Sequence, residues 1–218
     1  LSSVQKLLGH VMVPAGPPTL VEDGRSYLPA SAREAALPIV SFDELYRKTW
    51  RFVLRCLARL GVPPSALDDV FQEVFLVVHR RLPEYKAPPE NQDQAERVWV
   101  FQILRFVLRS HRRQHVRKEA VFRSDATDLE SVAAATDTPH VIAERSERVR
   151  LLYELLATLD DGKRELFVLV ELEGLSVRDA ASALGLNEHT AYSRFSAARA
   201  EFDKAFERSR ARDEWRLK

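Results

Sequence analysis

Six basic side chains, Arg105, Arg109, Arg112, Arg113, Arg117 and Lys118, fall within fourteen residues that contain no acid. Arg105, Arg109 and Arg112 stand at i, i+4 and i+7, so on a helix they share one face. A positive face of this kind can neutralise nucleic-acid phosphates. Trp99, Phe101 and Phe106 lie in or just before the stripe, and a ring beside phosphate-binding charge can stack an exposed base. A solvated helix face normally pairs its charges with acids at i,i+4. The stripe holds no such acid, which weakens the reading of it as mere surface.

A second constellation occupies residues 175–191 and reads as a helix-turn-helix. Ala181 is small enough for two helices to approach, Gly185 can take the chain through a tight turn, and Asn187 can cap the second helix. On that second helix Ala191, Phe195, Ala198 and Phe202 repeat on the inward face. His189, Tyr192, Ser193 and Ser196 share the opposite face, where base edges could be read in a major groove. Thr190 joins this candidate set, with Arg178 on the preceding helix and Arg194 and Arg199 flanking. The arginines are assigned to the backbone, and Tyr192 and the serine hydroxyls to bases. The plainer alternative is an αα hairpin in a bundle.

A third group, Asp69, Gln72, Glu73 and Leu76, stands at i, i+3, i+4 and i+7, opposite an apolar stripe. Spacing alone makes it a solvent-facing side. Enzyme chemistry finds no set of residues. Of the histidines at 10, 79, 111, 115, 140 and 189, only His111 and His115 show a ligand spacing. They lack a third ligand and sit among arginines, so no metal site is expected. No Gly-rich phosphate loop is present, and Cys56 lies on an apolar helix face as packing rather than as a nucleophile. No catalytic residue, metal or cofactor is expected.

The elements that would position these groups are all helical. Ser41 and Glu44 form a capping box, and Phe42, Leu45, Tyr46, Thr49, Val53, Leu57 and Leu60 follow at helical spacing. Gly61 and Pro63-Pro64 stop that helix, and Ser65 is expected to cap the next, whose stripe runs from Leu67 to Leu82. After a polar loop at 83–94, a third helix is expected from about residue 95 to 117, apolar nearly all round in its first half and so central. Residues 119–140 read as a linker. Helices resume at about 141–159, 163–172, 177–184 and 188–208. No alternating β pattern occurs.

The fold class expected is therefore all-α: two small bundles joined by a flexible linker, the second containing the helix-turn-helix. The boundaries are 1–40 for a Pro-containing, mostly irregular extension, 41–118 and 141–208 for the bundles, 119–140 for the linker and 209–218 for a tail. The 218 residues, 45% apolar, suffice for two such cores. Seven Gly and 11 Pro exclude collagen-like and low-complexity chains, and a single Cys excludes a disulfide framework and fits a reducing compartment. The 33 basic and 32 acidic residues nearly cancel, so the arrangement of charge carries the information. Apolar runs such as 98–104 fall far short of the roughly 18 residues of a membrane span, so no membrane insertion and a cytoplasmic location are expected.

These constellations occur in the order shown by one family. Asp68-Asp69-Val70-Phe71-Gln72-Glu73-Val74-Phe75-Leu76 resembles the Asp-Leu-Val-Gln-Glu-Val-Phe-Leu tract of bacterial RNA polymerase sigma factors, in the extracytoplasmic-function group that keeps only the region-two and region-four domains. Trp99-Val100-Phe101-Gln102-Ile103-Leu104-Arg105 is similar to that group's Trp-Leu-x-x-Ile-Ala-Arg helix. Leu159, Arg164-Glu165, Glu173-Gly174-Leu175-Ser176 and the helix-turn-helix, through Ser193-Arg194-Phe195 and Ala198-Arg199, resemble its region four. The chain departs with Phe106 where the family often has Asn, and with Ala197 where it commonly has Arg.

The resemblance implies a specificity subunit that binds core RNA polymerase and directs promoter recognition and transcription initiation. Asp69, Gln72 and Glu73, with Leu76 beside them, would contact the clamp helices of the polymerase largest subunit. Trp99, Gln102, Arg105, Arg109, Arg112 and Arg113 would handle the downstream, minus-ten element and its melted single strand. Arg178, His189, Thr190, Tyr192, Ser193, Arg194, Ser196 and Arg199 would meet the double-stranded upstream, minus-thirty-five element. An anti-sigma protein would hold the factor inactive. The alternative is a helix-turn-helix regulator with an N-terminal sensing or dimerising bundle, and a nucleic-acid-processing enzyme ranks behind both.

Overall fold

Ser41 Oγ accepts a hydrogen bond from the Glu44 amide at 3.2 Å, and α1 (Phe42–Arg59) starts from that cap. The computed structural model describes residues 40–86, 88, 91–119 and 139–216, with residues 115–119, 139–146 and 213–216 described by backbone alone. The extension at 1–39 and most of the linker, 120–138, lie outside the described residues. Val40, assigned to the extension, is buried against the first core.

α1 ends at Leu60 and Gly61, the latter at φ +86°, a left-handed conformation that favours glycine. α2 (Pro64–Arg81) begins one residue before the expected cap. Pro63 occupies the N-cap position and Ser65 falls inside the first turn. A proline at the first helical position lacks only an amide that would be unsatisfied there, and its fixed φ already suits the helix. The Pro-Pro pair thus starts this helix rather than merely ending the loop.

After a single 3₁₀ turn at Leu82–Glu84, α3 (Gln92–Glu119) begins three residues earlier than expected, with the Asn91 carbonyl accepting from the Gln94 and Ala95 amides. α1, α2 and α3 pack together around Phe52, Val70, Val74, Phe101 and Leu104, all nearly or wholly buried. Tyr46, Phe71 and Phe75 add an edge-to-face aromatic cluster with centroids 4.7–6.5 Å apart.

The second bundle comprises α4 (Pro139–Ala157), α5 (Asp161–Phe167), α6 (Val177–Leu184) and α7 (Glu188–Arg216). Asp160 and Ser176 cap α5 and α6 by accepting from the Lys163 and Asp179 amides at 2.9 and 3.0 Å. The helix expected over 163–172 loosens after Phe167 into a π-helical turn at Val168–Leu172, closed by Glu173 N–H to Val168 O at 3.0 Å. Gly174, at φ +73°, then reverses the chain. Phe167 stacks on Phe202 with centroids 4.5 Å apart, tying α5 to α7.

α7 runs to Arg216, so the residues assigned to a tail from 209 continue the helix. They hold Ala, Arg and Glu, good helix formers, and no Gly or Pro to stop it. Among the described residues every element is helical, and no helix is long and apolar enough to cross a membrane.

Glu96 is wholly buried in the first bundle, with Gln92 Nε2 donating to it at 3.1 Å and Lys48 Nζ 3.6 Å away. Burial pushes its carboxyl above the usual range, against the pull of Lys48. The folded chain therefore holds this proton more tightly than the unfolded one, and stability from this site falls as pH rises through the folded value. Glu96→Gln removes that loss. Urea midpoints of variant and parent should nearly coincide at about pH 4 and separate in favour of the variant by about pH 7; a constant gap would contradict the assignment.

Candidate nucleic-acid interface

α3 carries the basic stripe and decides which of its rings can meet a ligand. Phe101 is fully buried, packed at 6.4 Å against Phe52, so it cannot stack a base. Trp99 is half-buried against Tyr85, ring centroids 4.7 Å apart. Phe106 is the ring that stays available, 62% exposed between outward Gln102 and Arg109. Arg109 and Arg113 are exposed, with Arg113 Nε donating to the Arg109 carbonyl at 3.3 Å. The side chains of Arg117 and Lys118 lie outside the described residues.

The stripe has acidic partners after all, and they come from the second bundle. Arg105 Nε lies 3.0 Å from Glu165 Oε2, and Arg105 Nη1 donates to Leu184 O at 2.8 Å. Arg112 Nη1 donates to Asp161 Oδ2 at 2.7 Å, while its Nη2 donates to Leu60 O at 2.6 Å. Gln102 Nε2 donates to Ser182 O at 3.2 Å. Ser182 and Leu184 end α6, where carbonyls lack helical partners and the helix dipole is negative. Burial raises the Glu165 carboxyl, with the guanidinium of Arg105 opposing. The stripe itself contains no acid, and its pairing residues, Asp161 and Glu165, lie far along the chain.

A second contact joins the bundles beside the first. Arg55 makes a two-pronged bond to Glu173, Nε to Oε1 at 2.9 Å and Nη2 to Oε2 at 2.6 Å, and Arg59 holds the same carboxylate. The Glu173 side chain is only 1% exposed. Removing one partner of a buried pair costs about 3–5 kcal/mol, because the other charge is left alone. The motif containing Glu173 is visible in the sequence, but nothing local shows that its partners lie on α1. Between α3, α5, α6 and α7 remains a cleft of about 750 Å³, lined by Arg105, Arg109, Arg112, Arg113 and Arg194 with Asp161 and Glu165.

The helix-turn-helix has the expected local geometry. Gly185 is left-handed at φ +67°, and Asn187 Oδ1 accepts from the Thr190 amide at 2.7 Å. Ala181, Ala191, Ala198 and Phe202 are buried, and Phe195 is half-buried. His189, Ser193, Ser196, Arg199 and Tyr192, the last 54% exposed, face outward. Thr190 is half-buried, and the Ser193 hydroxyl donates back to its carbonyl at 3.2 Å. Arg178 is exposed and 3.3 Å from Glu188, whereas Arg194 is half-buried beside Gly162.

On α2, Asp69, Gln72 and Glu73 are exposed beside Leu76, a large apolar side chain 57% exposed. Among the described residues, no group of His, Cys, Asp and Glu is arranged to hold a metal ion. Cys56 is buried, and burial pushes its thiol well up, away from thiolate chemistry.

The family described as Sigma-70, region 4 matches residues 150–202. RNA polymerase sigma factor NccH of Alcaligenes xylosoxydans xylosoxydans is 30% identical over 163 residues, 74% of this chain and 84% of that protein. ECF RNA polymerase sigma factor SigE of Mycolicibacterium smegmatis is 30% identical over 176 residues, 81% of this chain and 65% of that one. The solved structure of CnrH in complex with the cytosolic domain of CnrY superposes with a TM-score of 0.54 at 25% identity, covering 76% of this chain and 87% of that one.

If Arg109 and Arg113 meet phosphates, their replacement by Ala should lower the slope of log K against log salt for single-stranded DNA by about 1.4, or 0.7 for each lost contact. Fluorescence anisotropy titrations at several salt concentrations measure this. An unchanged slope would make both residues ordinary surface.

Proposed function

The chain belongs to the extracytoplasmic-function group of RNA polymerase sigma factors, and we propose that it docks on core polymerase through α2 and reads promoter DNA with α3 and α7. Sigma factors direct promoter recognition and initiation, and as a class they are specificity subunits rather than enzymes. That membership sets aside the reading as an ordinary helix-turn-helix regulator. Residues 41–118 serve as region two and 141–208 as region four, and the chain works in the cytoplasm with the polymerase.

The observation that carries the docking assignment is the outward Asp69, Gln72, Glu73 and Leu76 face on α2. Charged groups around an exposed apolar anchor are the composition of a protein interface. Gln102, Arg105, Arg109, Arg112 and Arg113, with Trp99, serve the downstream element, and exposed Phe106 adds a ring for an unstacked base. On α7, Tyr192, His189 and Ser196 serve base edges. Arg178, Arg194 and Arg199 serve phosphates, and Thr190 and Ser193 hold the first turn of the helix as well as facing the groove. CnrH, a similar factor, has been solved with the cytosolic domain of CnrY, and an anti-sigma protein is the corresponding repressor proposed here.

Truncating a charged partner that becomes buried at an interface costs about 2–5 kcal/mol. Gln72→Ala with Glu73→Ala should therefore weaken core-polymerase binding at least about thirtyfold in a titration while leaving the helical circular dichroism intact. Unchanged affinity would remove α2 as the docking face.

Tyr192→Ala should change base preference at one or two upstream positions, whereas Arg199→Ala should weaken all sequences about equally. Selection from randomised upstream elements checks both. A preference untouched by the first change and altered by the second would reverse these roles.

A further inference from the structure

We propose that the cleft between the bundles is a binding site for a nucleoside polyphosphate, with the phosphates held by Arg109 and Arg113 of α3 and Arg194 of α7 and the base laid on Phe106. The proposal goes beyond the promoter reading and does not rest on it. The cleft takes Arg194 from the second bundle, which a strand lying along α3 would not need.

The walls of the cleft belong to the packed molecule. The buried apolar side chains of the two bundles run together in one cluster, and three of them, Leu108, Ala183 and Leu184, reach the cleft. The charge of the lining is strongly biased. Five arginines stand against two acids, Asp161 and Glu165, an excess of three positive charges. Both acids are already matched, Asp161 to Arg112 at 2.7 Å and Glu165 to Arg105 at 3.0 Å. The excess therefore falls on Arg109, Arg113 and Arg194. Arg113 Nε donates to the Arg109 carbonyl at 3.3 Å, which fixes the direction of that side chain. Arg194 is half-buried against Gly162, where a Cβ would stand 3.2 Å from its Nη1. The missing side chain at 162 makes room for that guanidinium.

The spacing and the ring select the ligand. Arg109 and Arg113 are set about 6 Å apart along α3 by helical rise, and Arg194 comes from another helix. Charges set out in this way match a chain of phosphates better than a single one. All five cations are arginines, whose planar fork fits phosphate oxygens two at a time. Phe106 lines the same cleft and is 62% exposed. A ring left in water at the edge of a basic cleft suits a flat base, and every base has a face to stack. Asp161, 65% exposed while it pairs with Arg112, can accept from a sugar hydroxyl. The volume, about 750 Å³, lies within the roughly 300–1,000 Å³ of small-molecule sites.

The test uses the full chain without DNA or polymerase. It is titrated by calorimetry with ATP and with inorganic triphosphate, at fixed ionic strength and with no divalent cation. ATP should bind, and the melting temperature of the chain should rise with ATP concentration. Arg109→Ala and Arg194→Ala should each weaken ATP about tenfold, as the loss of a charge-assisted bond requires. Phe106→Ala should weaken ATP about tenfold and leave inorganic triphosphate unchanged. Arg208→Ala, at an exposed position of α7 outside the cleft, should change neither. Helical circular dichroism checks that each variant is folded.

Neither heat nor a rise in melting temperature at about 1 mM ATP, a weak affinity for any built site, overturns the proposal. ATP binding lost with Arg109→Ala but untouched by Arg194→Ala overturns the cleft, since the α3 stripe would then bind phosphates alone. Equal binding of ATP and inorganic triphosphate, with Phe106→Ala affecting neither, overturns the nucleoside. A loss with Arg208→Ala as large as that with Arg194→Ala also overturns the site, because the attraction would then be diffuse.

Discussion

A guanidinium donor directed at one anion is unavailable to another, and the two bundles of this chain are arranged around that constraint. Arg105 and Arg112 project from α3, where the resemblance of the chain assigns promoter DNA, yet they hold Glu165, Asp161 and the carbonyl end of α6. Arg55 and Arg59 on the neighbouring helix hold Glu173. The buried apolar side chains of the two bundles join in one continuous cluster, and these ion pairs line the seam where the bundles meet.

The rest of the fold serves to present side chains at that seam and away from it. α3 is buried on its Val100, Ile103, Leu104, Val107 and Leu108 face, which fixes the direction of Gln102, Arg105 and Arg109 as a consequence of helical geometry. α2 buries Val70, Phe71, Val74 and Phe75, leaving Asp69, Gln72, Glu73 and Leu76 on the outside. The π-helical turn after α5 brings Glu173 to α1. An α-helical continuation through that turn would rotate the following residues about the helix axis and point this carboxylate elsewhere.

Local chemistry was legible in the sequence wherever its partner was also local. Ser41 with Glu44, Gly185 and Asn187 act within three or four residues of themselves, and each appears where its side chain or conformational freedom required. Ser65 failed as a cap because the adjacent prolines offered a better start for the same helix. α7 runs past residue 208 to Arg216 because the residues expected to form a tail have high helix propensity. Phe101 and Phe106 are alike in type and close in sequence, and only the core shows that one faces Phe52 and the other solvent. The pairing of Arg105 with Glu165, and of Arg55 with Glu173, spans sixty residues or more, and a single sequence contains no periodicity from which such a contact can be read.

Run-off transcription by purified core polymerase over a genomic promoter library, with and without this factor, tests whether the chain acts as a specificity subunit. Adding the factor should produce discrete transcripts whose start sites share a spaced pair of upstream and downstream elements. Transcription that is unchanged by the factor, while the factor still binds DNA on its own, would contradict it.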